Sequence, residues 1–109
     1  MHDSIDLSML FEGTLDIKIN SQLTIKVNKP TRLINLALIE IEEISRSKSS
    51  KKNLRLATEK IYNVTRLIFN NNTESKKWDD LVEKIPLDYC QQIIEKYMNW
   101  ATELEQNPN

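Results

Sequence analysis

The segment LDIKINSQLTIKV, residues 15–27, decides the fold class of this 109-residue chain. Apolar side chains alternate with polar ones on both sides of a short polar turn, Asn20-Ser21-Gln22. A period of two is typical of a strand with one buried face, and two such runs joined by three residues predict a β-hairpin. Because an isolated hairpin is only marginally stable in water, its apolar face must be covered by helices or by another sheet.

After the hairpin, the apolar residues repeat at helical spacing. Pro30 stands where a first helix begins, because the first helical turn does not use the missing N–H, and this helix runs to about Ser45. The same spacing predicts helices at about 53–70, about 74–85 and about 87–105, with stripes such as Leu54, Ala57, Ile61, Val64 and Ile68. We therefore predict an α+β fold, mainly α, in which an N-terminal β-hairpin precedes a bundle of about four helices. Residues 1–13 are expected to form an arm, 14–105 a single domain and 106–109 a tail.

Composition limits the classes of function. The 15 Lys and Arg residues nearly balance the 16 Asp and Glu residues, which argues against a general nucleic-acid binder and against adhesion to an acidic membrane. Cys90 is the one cysteine in the sequence, so an internal disulfide is impossible, and its apolar helix face predicts a buried small hydrophobe. The first residues lack a positive region followed by a long apolar stretch, so we expect no signal peptide, and no apolar run is long enough to span a bilayer. We expect a soluble protein of the cytoplasm.

The residues that carry chemistry are few and dispersed. His2 has no predicted partner, and the adjacent acidic pairs Glu42-Glu43 and Asp79-Asp80 point about 100° apart on their helices. The basic segment Arg46–Lys52 could contact phosphate, but it has no glycine cradle, so a solvated linker is the favoured interpretation. We predict no catalytic residues, no metal ligands and no cofactor; the chain is not expected to be an enzyme.

Large apolar side chains outside the predicted core faces are the candidates for binding a partner. Leu36 and Ile39 point away from the core side of the first helix, and Tyr62 and Phe69 stand together on another face of the second. This aromatic pair either contacts the hairpin or the N-terminal arm, or anchors a partner. The last helix is apolar over about 180°, more than one neighbour would cover. The predicted partner-binding residues are Leu36, Ile39, Tyr62, Phe69, Tyr89, Met98 and Trp100.

Two blocks of the sequence carry a family resemblance. The first is residues 15–27 leading through Lys29-Pro30 into a helix, and the second is WDDLVEKIPLDYCQQII, residues 78–94. In size, order and pattern of elements, roughly residues 14–105 resemble the tail assembly chaperones of long-tailed bacteriophages and prophages of Gram-positive hosts.

The resemblance implies a non-enzymatic protein that holds the long, aggregation-prone tape measure protein soluble and hands it to the growing tail tube. Such chaperones self-associate, act in the host cytoplasm and are absent from the finished virion. Many are also made with a C-terminal extension through a programmed ribosomal frameshift, which would diverge near Gln106–Asn109 here.

Two other functions stay open at this point. A small phage regulator or inhibitor would bind a host protein or DNA, although a DNA reader should place several cations on one helix face, and only Arg55, Arg66 and the basic linker are available. A structural subunit retained in the particle is the third. Gene context would separate them, because a chaperone gene should lie just upstream of a very long tape measure gene.

Overall fold

A computed structural model of the protein describes residues 13–46 and 51–106, with side chains for 13–44 and 54–102. Within these residues a two-stranded antiparallel sheet is followed by four helices, so the α+β, mainly α class is confirmed. The predicted arm and tail, residues 1–12 and 107–109, lie outside the described residues. The elements are β1 Thr14–Asn20, β2 Leu23–Asn28, α1 Arg32–Arg46, α2 Lys51–Asn70, α3 Asp79–Glu83 and α4 Leu87–Gln106.

The hairpin forms as predicted, with a tighter turn. Leu15 lies opposite Val27 and Ile17 opposite Ile25, which places the apolar residues of both strands on one face. Asn20 pairs with Leu23, so the loop is only two residues long, and the Asn20 side chain accepts a hydrogen bond from the N–H of Gln22 at 2.7 Å. The register shifts between Lys18 and Asn20, which makes Ile19 a bulge.

Helix α1 begins slightly later than predicted because Thr31 supplies its cap. The Thr31 hydroxyl accepts a hydrogen bond from the Ile34 N–H at 3.3 Å, and its carbonyl accepts one from the Asn35 N–H at 3.0 Å. A threonine side chain satisfies a helix N–H in this way, whereas Pro30 lies just before the helix.

The core lies where α1, α2 and α4 meet the apolar face of β2. Most of the predicted helix stripes contribute to it, but Leu54 is 65% exposed, because it lies in the first turn of α2, before the buried positions begin at Ile61. The buried apolar residues are Ile25, Val27, Ile34, Ala37, Leu38, Ile61, Val64, Ile68, Phe69, Val82, Cys90, Ile94 and Tyr97.

The helix predicted over about 74–85 is wrong in length, since α3 spans only Asp79–Glu83. The loop before it is longer because the buried Asn72 side chain binds its backbone. Asn72 accepts hydrogen bonds from the N–H groups of Glu74 and Lys76 at 3.0 and 3.1 Å and donates to the Lys76 carbonyl at 2.7 Å. Ser75 lies in the left-handed region with φ 56°, which a continuous helix would not allow. These bonds hold the backbone in a loop that the apolar spacing alone does not reveal.

The predicted basic linker is shorter than expected. Arg46 is the last residue of α1, and Lys51 and Lys52 are already in the first turn of α2. Residues 47–50 lie outside the described part of the chain. None of the described helices is both long enough and apolar enough to cross a membrane.

Candidate protein-binding surfaces

Helix α1 buries one side and leaves large aliphatic side chains exposed on the other. Leu33, Leu36 and Ile39 are 62%, 49% and 52% exposed, and we call these three residues the outer α1 stripe. Single exposed leucines are common on protein surfaces, but three aliphatic residues within two turns of one helix form a patch. The prediction that Leu36 and Ile39 point away from the core is confirmed; their role in binding stays a prediction.

The outer α1 stripe has an exposed cation, Arg32, at its N-terminal end and carboxylates towards its C-terminal end. Glu43 is exposed and lies one helical turn beyond Ile39, while Glu40 forms a 2.7 Å ion pair with Lys60 of α2. The Glu40–Lys60 pair joins the middle of α1 to α2 and neutralises one of the carboxylates. A partner that carries Lys or Arg beside its apolar side chains would match the Glu43 end of this surface.

A second apolar surface lies between α1, α2 and α4. We call it the α1–α2–α4 groove; its volume is about 480 Å³, within the usual range of ligand sites. The small side chain of Ala57 leaves space that a larger residue would fill. Apart from Gln91 and Glu95 the lining is apolar, and it consists of Ile41, Ile44, Ala57, Ile61, Gln91, Ile94, Glu95 and Met98.

Of the two alternatives for the aromatic pair on α2, partner binding is wrong for Phe69. This side chain is fully buried in the core, because it lies in the last turn of α2, where the following residues turn back against β2. Tyr62 is half-buried, and its hydroxyl donates a 2.7 Å hydrogen bond to the Ile85 carbonyl at the end of α3. Phe69 cannot contact a partner in this structure, and Tyr62 ties α2 to the α3 segment.

The three predicted residues of α4 lie in different places. Tyr89 is 56% exposed, and Met98 is half-buried in the wall of the α1–α2–α4 groove. Trp100 is also half-buried, with its ring centroid 5.7 Å from that of the buried Tyr97 and the planes tilted by 52°. Met98 alone of the three belongs to a concave surface described here.

Sequence reasoning missed other residues of these surfaces. Helical spacing alone predicts that Leu33, Ile41 and Ile44 lie on the core face of α1, and that Leu54 and Ala57 lie on that of α2. Leu33 and Leu54 are exposed instead, while the half-buried Ile41, Ile44 and Ala57 also line the groove. Leu33 stands at the edge of the α1 apolar arc, and Leu54 stands at the end of α2. Position at the edge or end of a stripe is the signal that could have identified them.

The Cys90 thiol and possible metal ligands are the groups of the described residues that bear on chemistry. The Cys90 thiol is fully buried, and burial raises its pKa above the ordinary value of 9.0, which favours the unreactive thiol. Among the described residues, no group of three His, Cys, Asp or Glu side chains could hold a metal ion.

Comparisons with protein-family models, with curated proteins and with solved structures found no match for this chain.

Proposed function

We propose that this protein is a non-enzymatic tail assembly chaperone of a long-tailed phage or prophage, which binds the tape measure protein and keeps it soluble in the host cytoplasm. The observation that carries the proposal is the outer α1 stripe, whose three aliphatic side chains are about half exposed or more. A protein that prevents aggregation of a helical client needs an apolar surface that the client can cover. The resemblance of residues 14–105 to phage chaperones supplies the identity of the client.

The stripe suits a helical client. Leu33, Leu36 and Ile39 follow each other at intervals of three residues, so they form a ridge along α1 against which a second helix can pack. The exposed Glu43 at the end of this ridge favours a client helix with Lys or Arg beside its apolar positions. We expect the client to be an amphipathic segment of the tape measure protein, with a Lys or Arg at the position that faces Glu43.

The alternative of a DNA-binding regulator has less support. Arg55 lies 3.6 Å from Glu59, and Arg66 donates a hydrogen bond to Asn63, so the two cations on this side of α2 already have local partners. Lys60, on another side, is paired with Glu40. Salt-sensitive binding to phosphates needs several available cations on one face. An inhibitor of a host protein would use the same outer α1 stripe, and gene context distinguishes it from a chaperone.

Co-expression with a tape measure fragment tests the proposal. We expect the wild-type chain to keep the fragment soluble and to co-purify with it. The double variant Leu36→Ser/Ile39→Ser should lose most of this effect while its free energy of unfolding changes by no more than about 1 kcal/mol, because both side chains are about half exposed. The matched control is Asn35→Ser/Gln92→Ser, which changes two exposed polar residues outside the outer α1 stripe.

Failure of the wild-type chain to hold the fragment in solution would contradict the chaperone proposal. The DNA around the gene gives a second, independent test. A very long tape measure gene should follow directly, with a slippery heptamer and an overlapping frame near the 3′ end. A neighbouring repressor or lysogeny gene would favour the regulator instead.

A further inference from the structure

The two edges of the β-hairpin differ. The outer edge of β2 is covered, since the Asn28 N–H donates to the Asn71 carbonyl at 2.8 Å and the Thr73 N–H donates to the Lys26 carbonyl at 3.0 Å. In the described part of the chain, β1 has β2 as its sole strand neighbour. An open strand edge presents N–H and C=O groups to which another strand can add.

The register shows which groups of β1 point outward. Because Lys26 and Asn28 use their backbone groups on the outer side of β2, Ile25 and Val27 must bond to β1, opposite Ile17 and Leu15. Backbone groups alternate in direction along a strand. The N–H and C=O groups of Asp16 and Lys18 therefore point away from β2.

The apolar face of the sheet is also incomplete at β1. Ile25 and Val27 of β2 are 3% and 0% exposed, whereas Leu15, Ile17 and Ile19 of β1 are only half-buried on the same face. A further strand beside β1 would cover what the helices leave accessible.

We propose that the open edge of β1 pairs antiparallel with β1 of a second copy of this chain, with the two Ile17 residues opposite each other. In this register Asp16 lies opposite the partner's Lys18, and Lys18 opposite the partner's Asp16, so the strand is complementary in charge to itself. The same two residues carry the outward N–H and C=O groups, which gives four hydrogen bonds between the strands. Leu15 then lies opposite the partner's Ile19.

Other registers are disfavoured by charge. A register centred on residue 16 places the two Asp16 side chains opposite each other, and one centred on residue 18 does the same with the two Lys18 side chains. The bulge at Ile19 limits regular pairing to the residues before it, so the association should be weak and reversible. The two-fold axis lies between the two Ile17 residues. The assembly is therefore a closed dimer with a four-stranded sheet. The inference does not depend on the chaperone proposal.

Charge reversal on the full-length chain tests this pairing. Asp16→Lys places lysines opposite lysines, and Lys18→Asp places aspartates opposite aspartates, so each variant alone should dimerise at least about tenfold more weakly than the wild type in sedimentation equilibrium. Mixing the two variants should restore association, because every Lys then faces an Asp. Both side chains are exposed, so the circular dichroism spectrum and melting temperature should stay close to those of the wild type.

Two results would overturn the proposal. One is a wild-type chain that remains monomeric up to about millimolar concentration, the range of weak association. The other is equal dimerisation of the wild type and both single variants, which would place the dimer contact elsewhere. Leu36→Ser/Ile39→Ser serves as the control, because changes to the outer α1 stripe should leave the dimer unaffected.

Discussion

The Tyr97 hydroxyl of α4 donates a 2.7 Å hydrogen bond to the backbone carbonyl of Asn28, the last residue of β2. Asn28 also donates its N–H to the Asn71 carbonyl, just after α2. The backbone of this one residue thus joins the end of the hairpin to two helical segments that are distant in sequence. Tyr97 is fully buried and Asn28 is half-buried, so loss of this bond should destabilise the protein.

Replacing Tyr97 with Phe should destabilise the protein by about 1–2 kcal/mol, because the Asn28 carbonyl loses a buried partner while the ring is retained. Urea unfolding followed by circular dichroism measures the change. Tyr89→Phe is the matched control, since its side chain is 56% exposed, and it should change stability by less than about 0.5 kcal/mol. Equal effects of the two substitutions would contradict the role of the Tyr97 hydroxyl.

Alkaline pH should destabilise the protein partly through Tyr97. Burial raises the pKa of this phenol above its ordinary value of 10.0, so the folded state favours the neutral form. The resulting stability is fully present below pH 10 and is lost as the pH rises beyond it. Free energies of unfolding at about pH 8 and about pH 11 should differ more for the wild type than for Tyr97→Phe, which cannot ionise at this position. An identical loss in both proteins would assign the effect to other groups.

Asn72 should be among the most sensitive polar residues. Its buried side chain makes four hydrogen bonds to the backbone, with the carbonyls of Phe69 and Lys76 and the N–H groups of Glu74 and Lys76. Asn72→Ala leaves these groups without their partner, and we expect a loss of about 2–4 kcal/mol in urea unfolding. Thr73→Ala alters an exposed neighbour and should be nearly neutral. A loss below about 1 kcal/mol for Asn72→Ala would show that water takes over its bonds.

The sequence alone predicts the strands and helices that have a regular spacing of apolar residues. Alternation identified the hairpin, and spacings of three and four identified α1, α2 and α4 within a residue or two of their ends. The apolar spacing from Trp78 onward predicts a longer helix than α3. The side chains of Asn70 and Asn72 instead bind the backbone of the segment before α3 and hold it as a loop. Such bonds join residues several positions apart and leave no periodic signal.

The candidate binding surfaces were predictable only in part. Leu36 and Ile39 were recognised because they lie opposite the core side of α1, a property of one helix alone. The groove forms only where three helices meet, and the burial of Phe69 depends on the path of the chain after α2. The packing of helices against one another and the path of the segment after a helix are tertiary properties that spacing within one helix cannot supply.

Phe69 and Tyr62 should respond differently to substitution. Phe69→Ala removes a fully buried ring and should cost about 3–5 kcal/mol in unfolding free energy. Tyr62→Phe removes only the hydrogen bond to the Ile85 carbonyl and should cost about 0.5–1.5 kcal/mol. Measured by urea unfolding, a small cost for Phe69→Ala would restore this residue as a candidate for partner binding.

Ala57→Leu should separate the α1–α2–α4 groove from the outer α1 stripe. The groove has a volume of about 480 Å³ and is open to solvent, so a leucine at this position should cover part of its apolar wall and gain up to about 1 kcal/mol of stability. Binding of the fluorescent dye ANS to the folded protein should fall, because the dye loses an apolar site. Asn99→Leu adds the same side chain at an exposed position of α4 outside the groove lining, and it should neither raise stability nor lower dye binding.

The Ala57→Leu variant also tests where the client binds. If the client binds along Leu33, Leu36 and Ile39, Ala57→Leu keeps it soluble while Leu36→Ser/Ile39→Ser does not. Loss of client binding in Ala57→Leu alone would transfer the client site to the groove.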